Sequence, residues 1–213
     1  MKTVMTRIPD ACRLLPTTML LIATLLLLGC NDPASKPAID LDEKYRTINT
    51  SPLRDTDAAR RENTIGLEHM DKGELYQAEL AFKRAIESDV KFGPAHNNLG
   101  KLYFLKRSFY LAAHEFDDAI KLMPNHAGPH NNLGLTLLEA NKLDDAIESL
   151  RKATSLDPHT IDYQANLARA VVQRGDRSEE VITLLRAIAA RDERVQWRAW
   201  ASHQLGEMGL DAQ

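Results

Sequence analysis

The side chains able to do acid–base or metal chemistry in this chain are its histidines and its paired carboxylates. His114-Glu115 opens the pattern of a zinc-hydrolase helix, in which a second histidine must follow four residues after the first, and Asp118 stands there instead. His96 and His130 recur 34 residues apart. Packed helices lie about 8–10 Å apart, too far for two such rings to share one ion, so both are expected to fill packing positions. His126 and His130 straddle Gly128-Pro129, a loop entry and not one helix face. The acidic pairs Asp117-Asp118, Asp144-Asp145 and Glu179-Glu180 fall near expected helix starts, where negative charge favours the helix dipole. The chain has no phosphate-cradling glycine loop, no Gly-x-Ser-x-Gly and no calcium loop. Enzymatic activity, a metal, a cofactor and a small-molecule substrate are therefore not expected.

The elements that position these residues follow from composition and period. Of 213 residues, 44% are hydrophobic and 27% charged, enough for a packed core. The net charge of −3 comes with no basic run, which argues against a nucleic-acid partner. Cys12 and Cys30 are the only cysteines, so no disulfide, cysteine-ligated metal or cysteine nucleophile can lie beyond residue 30.

Lys2, Arg7 and Arg13 precede an apolar run, Met19 to Leu28, of ten residues. Crossing a bilayer takes about 20, so this reads as an export signal and not a stable span. The run ends Leu27-Leu28-Gly29-Cys30, which resembles the lipobox of bacterial lipoproteins. That resemblance implies a signal peptide over 1–29, cut before a lipidated Cys30; the alternative is an uncleaved signal anchor. Several acyl chains on one cysteine would hold the protein at a membrane, since one chain anchors only marginally. Cleavage would remove three basic residues and one acidic one, taking the net charge from −3 to −5. Asn31, following the cysteine, resembles outer-membrane sorting, with the chain facing the periplasm. Residues 30–56, rich in Pro, Ser, Asp and Lys, read as a tether, leaving 57–213 as the folded domain.

Self-comparison shows a 34-residue period. Asn98-Leu99-Gly100, Asn132-Leu133-Gly134 and Asn166-Leu167-Ala168 share one register, with Ile65-Gly66 one unit earlier. Ala78, Ala112 and Ala146 share another, as do Phe82, Phe116 and Leu150, then Ala85, Ala119 and Ala153, then Pro124 and Pro158. Each unit holds two amphipathic stretches. The glycines and alanines would permit close helix crossing, Phe82 and Phe116 would fill the wider gap between units, and the prolines would stop the second helix. This pattern resembles the tetratricopeptide repeat. The resemblance implies an all-α fold, a right-handed superhelical solenoid of antiparallel helix pairs. The units are 59–92, 93–126, 127–160 and a degenerate 161–194, with a capping helix over 195–209. In the fourth unit Glu180 stands at a small-residue position, so its second helix is expected to shift by one residue or pack loosely. Trp197 and Trp200, three apart, share one face of the cap and read as core packing.

The family's first helices line a concave groove. On that alignment the groove receives Asn97, Asn131 and Ala165 at one offset, and Asn98, Asn132 and Asn166 at the next. Lys101, Leu135 and Arg169 share a third, and Phe104, Leu105 and Leu138 come further along. An asparagine amide both donates and accepts, so a ladder of them could hold the backbone of an extended peptide. This is similar to the asparagine ladder of O-linked N-acetylglucosamine transferase repeat domains. The apolar residues would add contacts, and Lys101 or Arg169 would hold an acidic group. The same asparagines could equally bridge adjacent helices. The cations of a two-carboxylate clamp are missing, since Arg60, Pro94, Gly128 and Asp162 occupy its leading offset. The function implied is a membrane-anchored adaptor binding a peptide or partner protein. The alternative is a structural subunit of an envelope assembly of the pilus or secretin type, docking by its convex face or final helix. A hydrolase is the third and weakest reading.

Overall fold

A computed structural model describes residues 54–210. The expected signal segment over 1–29, Cys30 and the expected tether up to residue 53 lie outside the described residues. Among the described residues there are nine helices and no strand. They are α1 (Thr56–Asp71), α2 (Leu75–Ser88), α3 (Gly93–Leu105), α4 (Phe109–Leu122), α5 (Ala127–Glu139), α6 (Leu143–Leu156), α7 (Ile161–Gln173), α8 (Glu179–Arg191) and α9 (Val195–Glu207). No described helix is long and apolar enough to cross a membrane.

Each helix packs on the next in sequence, and α1, α3, α5 and α7 also touch one another in order. These four helices therefore form one continuous face. Their C-termini share a single device. Gly73, Arg107, Asn141 and Gly175 all have positive φ, of 76°, 58°, 58° and 89°. The following amide reaches back to the helix in each case, as in Glu74 N–H to His69 O and Ser108 N–H to Tyr103 O, 2.8 and 2.9 Å. This left-handed closure satisfies carbonyls that the helix leaves open. The even helices stop before Asp89, Met123, Asp157 and Asp192, each with an extended or irregular backbone. Pro124 and Pro158 follow two of these stops and cannot continue a helix.

Inside each of the first three units the two helices meet at a glycine. A Cβ on Gly66 would overlap the ring of Phe82, one on Gly100 would lie 2.7 Å from Phe116, and one on Gly134 2.5 Å from Leu150. Phe82 and Phe116 thus lie first against their own unit's glycine, and not only in the gap between units. From there they reach Leu99 and Leu102, joining neighbouring units in one apolar cluster. Ala78, Ala112 and Ala146 are fully buried, as the register requires.

The fourth unit departs as its residues demand. Glu180 is exposed, and Val181, Leu185 and Ile188 are fully buried, one residue later than the repeat register would place them. The connection from Arg174 to Ser178 is longer than the three-residue turns before it and absorbs the shift. Helix α9 covers the open end. Ala201 and Leu205 are fully buried, and Trp197 and Trp200 pack edge to face at 5.3 Å against the same cluster. Stacked units bury what no single unit can, and the last one needs such a cover.

The folded part begins earlier than residue 57. Asp55 caps α1, its carboxylate accepting from Ala58 N at 2.8 Å. Thr56 Oγ1 donates to Asp89 Oδ2 at 2.8 Å, and Arg54 Nε to Asp89 Oδ1 at 3.3 Å. Residues 54–56, assigned to the tether by composition, are clasped onto the α2–α3 corner. Asp89 is 1% exposed. Burial pushes its carboxyl up, but bonds from Thr56, the Lys91 amide and Arg54 outweigh this and hold it below its usual range.

Candidate functional site

The asparagines on the odd-helix face pair across units. Asn98 Nδ2 donates to Asn63 Oδ1 at 2.9 Å, Asn132 Nδ2 to Asn97 Oδ1 at 3.0 Å, and Asn166 Nδ2 to Asn131 Oδ1 at 2.8 Å. Each rung joins one unit to the unit before it. Asn131 Nδ2 also reaches Asn132 Oδ1 at 3.4 Å, linking two rungs. Asn63, Asn98 and Asn131 are buried, while Asn97, Asn132 and Asn166 are half-buried. The ladder is therefore real, and its first partners are its own members. The series ends at Ala165, which has no amide to offer the next unit.

A second periodic bond comes from the residue two places before Asn98, Asn132 and Asn166 on α3, α5 and α7. His96 Nε2 meets Val90 O at 3.4 Å, His130 Nε2 meets Pro124 O at 3.3 Å, and Gln164 Nε2 donates to Pro158 O at 2.7 Å. Each ties an odd helix to the turn that enters it. His96 also shares a 2.9 Å contact with Glu115 through Nδ1. Burial lowers the His96 imidazole, and the bond and charge of Glu115 outweigh this and raise it. In the first unit this position is Glu62, whose side chain has no N–H to donate, and its buried Oε2 has no partner among the described residues. His114 lies on the outer face of α4, exposed and 3.5 Å from Asp118.

Between the rungs and the turn edge lies an apolar cleft of about 280 Å³. It is lined by Met70, Lys101, Phe104, Leu105, Phe116, Asn132 and Leu135. Lys101 and Leu135 thus come together with Phe104 and Leu105, as their offsets suggest. Leu138 does not join them, because it is 3% exposed and belongs to the core around Leu150 and Ala146. Arg169 is drawn away as well, donating to Glu139 at 2.8 Å. Lys106 is held by Glu79 at 2.8 Å, and Tyr103 Oη donates to the same carboxylate at 3.1 Å. Burial pushes Glu79 up, but hydrogen bonds from Lys106, Lys83 and Tyr103 prevail and lower it to about 2. Lys101 has no carboxylate within ion-pair distance among the described residues.

Residues 127–160, the α5–α6 unit, match the tetratricopeptide repeat. The fold is a tetratricopeptide-repeat solenoid. Solved structures agree over several units. The first repeat domain of Spaghetti (RPAP3), bound to an HSP90 peptide, aligns with a TM-score of 0.57 at 16% identity, covering 58% of this chain and 98% of that one. MamA aligns with a TM-score of 0.56 at 21% identity, over 72% of this chain and 83% of that one. The Thermobaculum terrenum O-GlcNAc transferase aligns with a TM-score of 0.58 at 22% identity, over 71% of this chain and 28% of the enzyme. No curated protein sequence matches the chain. At these identities the likeness is one of fold. Within the tetratricopeptide fold, the odd helices α1, α3, α5 and α7 are the first helices of their units, and the cleft opens on the face they share.

Proposed function

We propose that this chain is an adaptor that holds an extended segment of a partner protein on the first-helix face, tethered to a membrane of the bacterial envelope through lipidated Cys30. The observation that supports it is the apolar cleft of Met70, Phe104, Leu105 and Leu135, open on that face and bordered by Lys101. An exposed apolar concavity with few polar groups is the usual form of a binding site. The HSP90 peptide in Spaghetti's repeat domain is a precedent for a peptide on this fold. The tether follows from the sequence alone, from the ten-residue apolar run and the Leu-Gly-Cys that ends it.

A photoreactive residue at Leu105, 58% exposed at the cleft mouth, tests the groove in cells. A specific crosslink lost with Leu135→Asp supports it. No crosslink at Leu105, with strong capture from Tyr110, would favour a second reading, a structural subunit docking by its outer face. Tyr76 and Tyr110 motivate that reading, being exposed at the same place on α2 and α4, Tyr110 to 84%. Metabolic labelling with a clickable palmitate, compared with Cys30→Ser, tests the anchor. Equal labelling of both would sink it.

A further inference from the structure

Resting on that reading of the groove, we infer that the cleft between α3 and α5 takes one apolar side chain of the bound segment, and that this segment carries a carboxylate within about two residues of it, seated on Lys101.

Shape and polarity choose the side chain. The cleft measures about 280 Å³, and its walls Met70, Phe104, Leu105 and Leu135 close over a floor of Phe116. An apolar cavity of about 150 Å³ accepts a benzene ring, so a leucine or phenylalanine has room here. No acidic residue lines it. A basic side chain brought to the cleft would find no partner and would face Lys101.

Charge chooses the neighbour. Several cations near this face already have partners, as Arg169 has Glu139, Lys106 and Lys83 share Glu79, Arg174 has Asp144, and Arg107 lies over the Phe109 ring at 5.2 Å. Lys101 is exposed, stands one helical turn before Leu105 on α3, and lacks such a partner among the described residues. A carboxylate on the occupant would pair with Lys101, the cation that lines the cleft. Asn132 then sets direction. One of its two amide hydrogens is spent on Asn97, and the second remains for a backbone carbonyl at the cleft rim.

The other concavities do not select an occupant in this way. The one beside α6 and α8 carries Arg151 and Glu180, which satisfy each other at 2.7 Å. The one at the α4–α5 edge mixes Asn97, Asn125 and Asp157 with no unpaired cation at an apolar wall.

The test is selection of a random peptide library on the full chain. Winners are then made as fluorescein-labelled peptides with free and with amidated C-termini, and binding is read by anisotropy. The expected winners pair an apolar residue with an acidic one or with a free C-terminus. Amidation separates a terminal carboxylate from an Asp or Glu side chain. Lys101→Gln should weaken these peptides by up to about fivefold, the range of an exposed ion pair, while Arg169→Gln leaves them unchanged. Winners abolished by Leu105→Asp but indifferent to Lys101→Gln would overturn this inference and leave the groove standing. Winners indifferent to Leu105→Asp would overturn both.

Discussion

The side-chain amide of Asn98 donates to that of Asn63 across 2.9 Å, and both residues are at least nine-tenths buried. The bond spans the boundary between the first and second units, and it recurs twice along the chain. In a solenoid, stability is close to a sum of unit terms and nearest-neighbour terms, so these rungs belong to the coupling between units. Cutting one leaves a buried amide unsatisfied, at about 1–3 kcal/mol. Asn98→Ala is expected to lower the unfolding free energy obtained from urea denaturation by that amount, and Asn166→Ala, at a half-buried rung, by less. A double-mutant cycle of Asn98 and Asn63 should show coupling; strict additivity would mean that the rung contributes nothing. Alanine at 98, 132 and 166 together should therefore lower the melting temperature, and not only weaken a partner.

Gly100 faces the Phe116 ring so closely that an added Cβ would stand 2.7 Å from it. Gly100→Ala should destabilise by about 1–3 kcal/mol, as overpacking does. Gly128, whose Cβ would meet nothing within 4 Å, is the control and should tolerate alanine. Equal melting temperatures for the two variants would show that the crossing is looser than described.

Glu62 sits where His96, His130 and Gln164 sit in later units, and its buried Oε2 has no partner among the described residues. Glu62→Gln removes an unsatisfied buried carboxylate oxygen and supplies an N–H. Thermal melting should rise by the equivalent of about 1 kcal/mol. A fall would mean that the carboxylate has a stabilising contact that glutamine cannot replace.

The pH profile of stability should be bounded on both sides. Glu79, lowered to about 2 from 4.5, and Asp89, also lowered, contribute stability above their unfolded pKa values. That contribution falls away as pH drops below about 4.5 toward 2, because the unfolded chain takes up protons first. His96 has the opposite sign. Its raised pKa contributes stability that is full below about 6.5 and lost as pH rises through the folded value. Denaturation midpoints measured from pH 2 to 9 should pass through a maximum between these limits. Asp89→Asn should flatten the acid side, and His96→Gln the alkaline side. An unchanged acid limb in Asp89→Asn would remove Asp89 from the account.

The fold was legible in the chain because its cause is periodic. Gly100 against Phe116, Ala112 in full burial and the stop before Pro124 each repeat at 34 residues, and a one-dimensional stack turns such a period directly into neighbour contacts. Even the irregular unit was marked, since Glu180 could not enter a small-residue slot and the buried set moved to Val181. The offsets also brought Lys101, Leu135, Phe104 and Leu105 to one face. What a linear pattern could not decide was which polar groups spend their bonds on each other. Asn132 could hold a peptide or Asn97, and only a distance of 3.0 Å between neighbouring units settles its first partner. Arg169 and Lys101 share an offset, yet Glu139 lies within reach of one and not the other. Leu138 reads as groove and packs as core. Ion pairing and burial depend on atoms 24 to 35 residues apart in sequence meeting within a few ångströms, and that proximity exists only once the units are stacked.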